Sequence, residues 1–509
     1  MVKPKSFRPW NPEQMLLLPP SPVDWLPANH LVFFLLDLAA ELDLEAIHAV
    51  YRQKDPRGEK AYEPRMMVVL LLYAYCVGLP SSRKIEKACW EDAAFRVLTG
   101  NQQPDHSRIS DFRRRHLNAL AGLFVQVLKV CQKAGLVSLG QVALDGTKIR
   151  ANASKHKAMS HERMLKSERQ LEAEMRALLR KAELIDAQED GQYGKGRRGD
   201  ELPEELQRRS SRLEWIRKAK AELEAEAAAA KARQRDAQVN VAEQEAAGPE
   251  ASGDGKAGKR ASRRARGARK RADDAQTLAI KKAEAAGLDL SAVALAAEID
   301  PLAMPTRTLP SDAIGNPKPS AQRNFTDPHS HILKGHNGWL QGYNCQAAVD
   351  GDHQVIVAIG VSNQASDAVH LLPMLERIQA NTGQQPGALI ADAGYCSTAN
   401  LEACEERELE AYISTSRQQH GHRPRPSRGR APRDLDARGR MDRKLRSVQG
   451  QAIYALRKTI VEPVFGQIKG ARGLDRFRLR ELEKVNGEWA LIATTHNLLK
   501  LFRAAVAMA

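Results

Sequence analysis

The sequence has few cysteines, and none stands in an arrangement that usually binds metal or forms a redox pair. Its six cysteines include no Cys-X-X-Cys pair, and none lies near paired histidines at the spacing of a zinc site. These absences argue against the zinc-finger and dithiol classes. Most of the six lie in apolar patterns, so we expect buried, free thiols in a reducing compartment.

Long apolar segments and a secretory leader are also missing. No apolar run approaches the roughly 18 residues that a membrane span requires. The N-terminus lacks a basic stretch followed by an apolar core and a small-residue cleavage site. We therefore expect a cytoplasmic protein with no membrane partner.

Positive charge is what the sequence has in excess. Its 509 residues include 78 Lys and Arg against 62 Asp and Glu, which gives a formal net charge of +16. A polyanion is the simplest partner for such a chain, and nucleic acid is the most common polyanion; the alternative is a basic protein with no such partner. The length predicts two or three domains.

Three acidic residues occupy points at which metal chemistry is commonly built. Asp145 ends an apolar strand pattern, Asp392 ends a second one, and Glu462 opens a helical pattern. Without the charged region Lys155–Gln322, the predicted order is three antiparallel strands followed by alternating helices and strands. This is an α/β mixed sheet of the ribonuclease H-like kind, in which the first and fourth strands end side by side. Asp145 and Asp392 would then be neighbours, and a helix would supply Glu462.

Each of these carboxylates also has an ordinary interpretation, as a strand end, a turn, or half of an ion pair on a helix. Together they predict a site for two Mg²⁺ ions, with Mn²⁺ as a possible substitute, because hard cations prefer oxygen ligands. Two ions about 4 Å apart can activate a nucleophile and stabilise the leaving oxygen of a phosphodiester.

The first 135 residues predict an all-α domain that could bind DNA. A helix beginning at Arg108 places its apolar residues on one face, and these are Ile109, Phe112, His116 and Leu120. Its other face carries Arg108, Arg114 and Arg115, as in a helix-turn-helix reader that contacts phosphates or base edges. A core helix with a solvated charged face is the alternative.

Residues 155–334 predict a long helical, coiled-coil insertion. Met164, Leu171, Met175 and Leu178 keep a heptad-like spacing, as do Leu206, Leu213, Ile216 and Leu223. This pattern predicts two antiparallel helices joined near Gly191–Asp200. The basic, low-complexity stretch Gly248–Arg271 predicts a disordered loop. The insertion is either a dimerisation or DNA-clamping device, or an internal hairpin with no role in oligomerisation.

Several motifs carry a family resemblance: Pro104-Asp105-His106, Leu144-Asp145-Gly146-Thr147, Gly342-Tyr343-Asn344, Ala391-Asp392-Ala393-Gly394-Tyr395 and Val461-Glu462-Pro463. On these residues the chain resembles bacterial insertion-sequence transposases of the Asp-Asp-Glu (DDE) class, in the branch with an N-terminal helical DNA-binding domain. The family's Tyr-Arg-Glu-Lys signature falls on Tyr454, Arg457, Glu462 and Lys469. Because related branches have an Arg-to-Glu interval one residue shorter, Lys458 is the alternative to Arg457.

The resemblance implies three parts: a helical DNA-binding domain at 1–135, a ribonuclease H-like catalytic domain at 136–154 and 335–509, and the insertion at 155–334. It implies that Asp145, Asp392 and Glu462 bind the metals and that Arg457 and Lys469 touch DNA phosphate.

The implied reaction is metal-dependent cleavage at the element's terminal inverted repeats, followed by strand transfer into target DNA. A homodimer acting on DNA at the nucleoid would carry it out. A catalytically inactive or regulatory DNA-binding protein, or a metal-dependent nuclease without strand transfer, are the alternatives.

Overall fold

A computed structural model describes residues 21–52, 61–193, 204–252, 255–288, 302–335, 338–416, 432 and 434–508. The chain divides into two compact units. Unit 1 consists of Met1–Ala134, Ala471–Gly473 and Ala490–Ala509, and unit 2 consists of Gly135–Gly470 and Leu474–Trp489. This division lies next to the predicted boundary at residue 135, and it groups the last twenty residues with unit 1. The predicted domains, including the catalytic domain at 136–154 and 335–509, stay a prediction.

Unit 1 is helical throughout its described residues. Its helices are α1 (Leu31–Glu41), α2 (Glu45–Arg52), α3 (Pro64–Cys76), α4 (Ser82–Glu91), α5 (Ala93–Leu98), α6 (His106–Arg115) and α7 (Leu117–Lys133). Helix α3 is the centre of the core, because every residue from Met67 to Cys76 is buried. Its first residue is Pro64, at a position where the missing N–H costs no hydrogen bond. The prediction of an all-α N-terminal region thus agrees with the structure.

Unit 2 is built on a six-stranded mixed sheet with an additional two-stranded sheet. The strands are β1 (Gln141–Arg150), β2 (Ala158–Ser160), β3 (Gln322–Asn324), β4 (His331–Gly335), β5 (Gly338–Asp350), β6 (Ile356–Ser362), β7 (Ala388–Ala391) and β8 (Glu410–Ile413). The large sheet has the order β4-β5-β1-β7-β8, with β6 paired to β5. Strand β1 is antiparallel to β5 and parallel to β7, so the predicted neighbours are found. Strand β4 was not predicted, and it begins inside the segment assigned to the insertion.

The remaining helices belong to unit 2, except that the last of them continues into unit 1 from Ala490 onward. They are α8 (His161–Tyr193), α9 (Glu204–Ser252), α10 (Gly255–Ala285), α11 (Leu371–Thr382), α12 (Thr398–Glu406), α13 (Ala437–Leu445), α14 (Val448–Ala455), α15 (Arg457–Phe465) and α16 (Leu482–Met508). Helix α11 packs on β6, and α15 packs on β1 and β5. Strands β1 and β7 are buried on both faces, with Val142, Leu144, Leu389 and Ile390 fully inaccessible. Burial of this kind is usual for strands within a parallel arrangement covered by helices.

Helices α8 and α9 of the insertion pack as an antiparallel pair. Glu174 faces Arg209, while the earlier Glu168 faces the later Lys220, so the two helices run in opposite directions. Met164, Leu171, Leu213, Ile216 and Leu223 form their shared apolar core, as the heptad-like spacing predicts. Most of the predicted junction between the helices, residues 194–203, lies outside the described part of the chain. The coiled-coil geometry itself stays a prediction.

The prediction of a disordered basic loop at Gly248–Arg271 is wrong for most of its length. Helix α10 begins at Gly255 and continues to Ala285. Small residues at regular helical spacing let it lie against α9, and these are Ala268, Ala272, Ala275, Ala279 and Ala283. Alanine, lysine and arginine are strong helix formers, so a composition that lacks large apolar residues can still form a packed helix.

Two further findings concern the absences noted in the sequence. All six cysteines are free, and all but Cys396 are buried. Within the described residues, no helix is both long and apolar enough to cross a membrane.

Candidate active site

Asp392 directly follows the end of β7, whereas Asp145 lies inside β1, so the prediction that Asp145 ends its strand is wrong. The parallel pairing of β1 with β7 stops after Leu144, but antiparallel pairing with β5 carries β1 on to Arg150. Leu144 of β1 is paired in register with Ala391 of β7, so Asp145 and Asp392 each follow directly after a matched pair. Each carboxylate is held by the backbone just beyond it. The Gly146 N–H donates to Asp145 Oδ1 at 2.7 Å, and the Gly394 N–H donates to Asp392 Oδ1 at 2.8 Å.

The third acid, Glu462, is connected to Asp145 through an arginine. Arg457 Nη1 donates to Asp145 Oδ2 at 2.8 Å, and Arg457 Nη2 donates to Glu462 Oε1 at 3.0 Å. Helix α15 supplies both Arg457 and Glu462, five residues apart, and packs on β1. Of the two alternatives for the signature arginine, Arg457 is therefore the one that reaches the acids. Within the described residues, no group of three His, Cys, Asp or Glu side chains is arranged to hold a metal ion.

The pKa of Asp145 is raised to about 7, mainly by burial and to a smaller degree by the nearby carboxylates of Asp392 and Asp367. Arg457 and the Gly146 N–H act in the opposite direction. Burial and the neighbouring carboxylates thus oppose the ionised form of Asp145, and a cation bound among these acids would favour it.

The donor chemistry of the cluster fits a hard divalent cation. Its possible ligands are carboxylate oxygens, which Mg²⁺ and Mn²⁺ prefer. The predicted ligand set contains no cysteine or histidine. The Arg457 guanidinium already holds positive charge between Asp145 and Glu462, so this position accepts a cation.

A fourth acid, Asp367, lies beside this cluster and was not predicted to belong to it. Its Oδ1 accepts hydrogen bonds from Asn344 Nδ2 at 2.6 Å and Gln346 Nε2 at 3.0 Å, and lies 3.3 Å from Lys148 Nζ. Asp367 stands at the N-cap position of the short 3-10 turn Ala368–His370, but its side chain makes no cap hydrogen bond there. The available signal was a pair of amides, Asn344 and Gln346, two residues apart on one face of an otherwise apolar strand.

Lys469 lies near the cluster but has protein partners. It belongs to the π-helical turn Gly466–Ala471, and its Nζ donates to Thr147 Oγ1 at 3.1 Å and lies 3.4 Å from the Lys148 carbonyl oxygen. Both partners are in β1, two and three residues after Asp145. Lys469 is thus held against the part of β1 that directly follows Asp145.

The three predicted DNA-contacting arginines of unit 1 lie on the exposed side of α6 and its end. Arg108, Arg114 and Arg115 are exposed, whereas the predicted apolar face, Ile109, Phe112, His116 and Leu120, is buried. Asp105 caps α6 by accepting hydrogen bonds from the N–H groups of Ser107 and Arg108. The sequence predicted one continuous helix here, but the structure has two, because α6 ends at Arg115 and α7 begins after His116. It also left unassigned Arg113, a buried structural residue that donates to Tyr75 Oη and the Pro80 carbonyl.

Two family models match the chain. Residues 317–498 match the model described as a transposase DDE domain, and residues 21–115 match the model described as a transposase domain, DUF772. The first match contains Asp367, Asp392 and Glu462, and the second contains the exposed arginines of α6. No curated protein and no solved structure matches the chain. Both models are therefore of transposase domains; the first covers every acid of the cluster except Asp145, and the second covers α1 to α6.

Proposed function

We propose a reaction for this chain, which belongs to the DDE transposases of insertion sequences and functions in DNA transposition. The chain cleaves the phosphodiester bond at each end of its element and joins the freed 3′-hydroxyl to target DNA. The observation that carries this proposal is the placement of Asp145 and Asp392 directly after the last residue pair of the parallel β1–β7 ladder, with Glu462 on the helix packed beside β1.

In this proposal the three carboxylates would hold divalent metal, Mg²⁺ with Mn²⁺ as a substitute. Two ions is the number that suits attack on a phosphodiester, since one can act on the attacking oxygen and one on the leaving oxygen. When bound, such ions activate the attacking oxygen and stabilise the departing one. The residues of this chain bind and orient. Asp145 would supply oxygens from within β1, Asp392 would supply them from just after β7, and Glu462 would supply a more exposed one. Arg457 would move from the acids toward a DNA phosphate. Lys469, anchored on β1, contacts the same phosphate backbone.

The helical unit is proposed to bind the terminal inverted repeats. Support comes from the three exposed arginines of α6 and from the formal net charge of +16, since phosphate contacts account for most non-specific affinity for DNA. A chromosomal substrate locates the proposed reaction at the bacterial nucleoid.

Replacing Arg114 and Arg115 with glutamine is expected to weaken binding to end-containing duplex about tenfold, and to reduce the salt dependence of binding by about one to two phosphate equivalents. Fluorescence anisotropy over a salt series measures both quantities. Arg52→Gln is the matched control, because Arg52 is an exposed, ion-paired arginine on α2 of the same unit. Equal affinity of the double variant and the wild type for DNA would show that α6 is not part of the DNA-binding surface.

The insertion is proposed to form a coiled coil that pairs two copies of the chain on DNA, which brings two element ends together. A precise deletion tests this. The Glu162 N–H donates to the Pro319 carbonyl oxygen at 3.3 Å, where β2 and β3 pair. Residues 163–318 can therefore be replaced by a short glycine linker that joins these two positions. Because this also removes residues 302–307, which contact β6 and α11, circular dichroism must show that the deletion is folded. Light scattering with end DNA should show a dimer for the full chain and a monomer for the deletion; a dimeric deletion would assign the insertion no oligomeric role.

A single assay separates the proposed function from its alternatives. Purified full-length protein is incubated with Mg²⁺, an end-containing duplex and a supercoiled target plasmid. A DDE transposase gives both cleaved ends and joined product, a nuclease gives cleavage without joining, and an inactive DNA-binding protein gives neither. Omitting the metal should abolish both products. Only the first pattern supports the proposal.

A further inference from the structure

Asp367 lies close to the backbone beside both Asp145 and Asp392. A methyl group added at Gly146 would lie 2.9 Å from Asp367 Oδ1, and one added at Gly394 would lie 3.3 Å from Asp367 Oδ2. Gly146 follows Asp145 directly, and Gly394 is the residue whose N–H holds the Asp392 carboxylate. The two oxygens of Asp367 therefore span the space between the backbones that orient Asp145 and Asp392.

The contacts of Asp367 continue into the turn after Asp392. Gln346, which donates to Asp367, accepts a hydrogen bond from the hydroxyl of the fully buried Tyr395. Asn400 Nδ2 donates to the carbonyl oxygens of Ala368 and Tyr395, each at 2.7 Å. The residue after Asp367 is thus fastened to the turn that carries the second acid.

The negative charge of Asp367 strengthens its hydrogen bonds to the surrounding side chains. The carboxylate of Asp367 faces two amide donors and the Lys148 ammonium, and charge-assisted hydrogen bonds of this kind are roughly twice as strong as neutral ones. Lys148 extends from β1 three residues after Asp145, and its side chain is only 17% exposed, so it needs a nearby counter-charge. Asp367 supplies that counter-charge.

We propose that Asp367 is a positioning residue, which fixes the carboxylates of Asp145 and Asp392 so that they can bind a divalent cation. This inference rests on the proposed function, because it concerns the same acidic cluster. Asp367 acts through Lys148, Asn344 and Gln346 rather than on DNA. Outer partners of metal ligands commonly change metal affinity by about 10- to 100-fold when they are removed.

The test is the affinity of the folded, full-length protein for Mn²⁺, measured by isothermal calorimetry without DNA. Asp367→Ala should weaken Mn²⁺ binding by about tenfold or more. Asp367→Asn, which keeps the shape and one acceptor oxygen but loses the charge, should weaken it by a smaller factor. Asp327→Asn is the matched control, because Asp327 is a buried acid of the same unit that accepts from the Tyr343 hydroxyl and the Glu481 N–H. The control should bind Mn²⁺ as the wild type does.

The outcomes separate the inference from the function on which it depends. Circular dichroism establishes that each variant is folded at the temperature of the titration, and if Asp367→Ala does not fold, Asp367→Asn carries the test. Folded Asp367 variants with wild-type Mn²⁺ affinity would overturn the inference while leaving the proposed function intact. A wild-type protein that neither binds Mn²⁺ nor cleaves DNA would overturn the proposed function and the inference together.

Discussion

Replacing Asp145 with asparagine is expected to reduce DNA cleavage by at least about a thousandfold, equivalent to about 4 kcal/mol of lost transition-state stabilisation. Both oxygens of Asp145 face donors, the Gly146 N–H and Arg457 Nη1. An asparagine supplies only one oxygen, so its amide would place a donor against a donor and remove the negative charge that a cation requires. Gel analysis of an end-containing duplex in Mg²⁺ measures the rate.

The same variant should remain folded and should bind end DNA with wild-type affinity. Burial already raises the pKa of Asp145 to about 7, so a neutral side chain at this position is not foreign to the folded protein. Asp475→Asn is the matched control. It is the same substitution at a partly exposed acid, which pairs with Arg150, the last residue of β1. Full nicking activity of the Asp145 variant would refute the assignment of this residue.

The sequence located Asp145 and Asp392 because each follows an apolar run, a pattern that depends only on local residues. The paired segments of β1 and β7 are buried on both faces, so their sequences are continuously apolar up to these two acids. The parallel pairing of these strands then follows from the order of elements. This much of the fold and site was predictable without a structure. The continuation of β1 to Arg150 was not predicted, because it depends on pairing with β5, which is distant in sequence.

Asp367 was not predictable in the same way, because its role depends on contacts between elements that are distant in sequence. Its partner Lys148 is 219 residues away. Strand β4 escaped prediction because it is short and lies at the edge of the sheet, where little apolar pattern is required. Helix α10 was not predicted because it packs on α9 mainly through alanines, and composition alone does not reveal a neighbouring helix.

Replacing Arg457 with alanine is expected to change metal binding and catalysis in opposite directions. Arg457 holds positive charge between Asp145 and Glu462, so its removal frees both carboxylates for a competing cation. We expect Mn²⁺ to bind roughly tenfold more tightly, because binding no longer has to displace a charge-assisted pair. Without metal, the variant should be less stable by about 2 kcal/mol, since two acids lose their shared partner.

DNA cleavage by the same variant should nevertheless fall by roughly 10- to 100-fold at saturating Mn²⁺, because a phosphate contact worth about 1.5–3 kcal/mol is lost. Calorimetry, thermal unfolding with and without Mn²⁺, and the cleavage assay together measure these effects. Arg407→Ala is the matched control, because it removes a comparable ion pair elsewhere in unit 2. Arg407, which directly follows α12, places its Nη2 2.6 Å from Oε1 of Glu376 on α11. This variant should alter neither Mn²⁺ affinity nor cleavage. If Arg457→Ala bound Mn²⁺ no more tightly than the wild type, the guanidinium would not occupy the cation position. If it cleaved DNA normally at saturating metal, Arg457 would have no part in holding the phosphate.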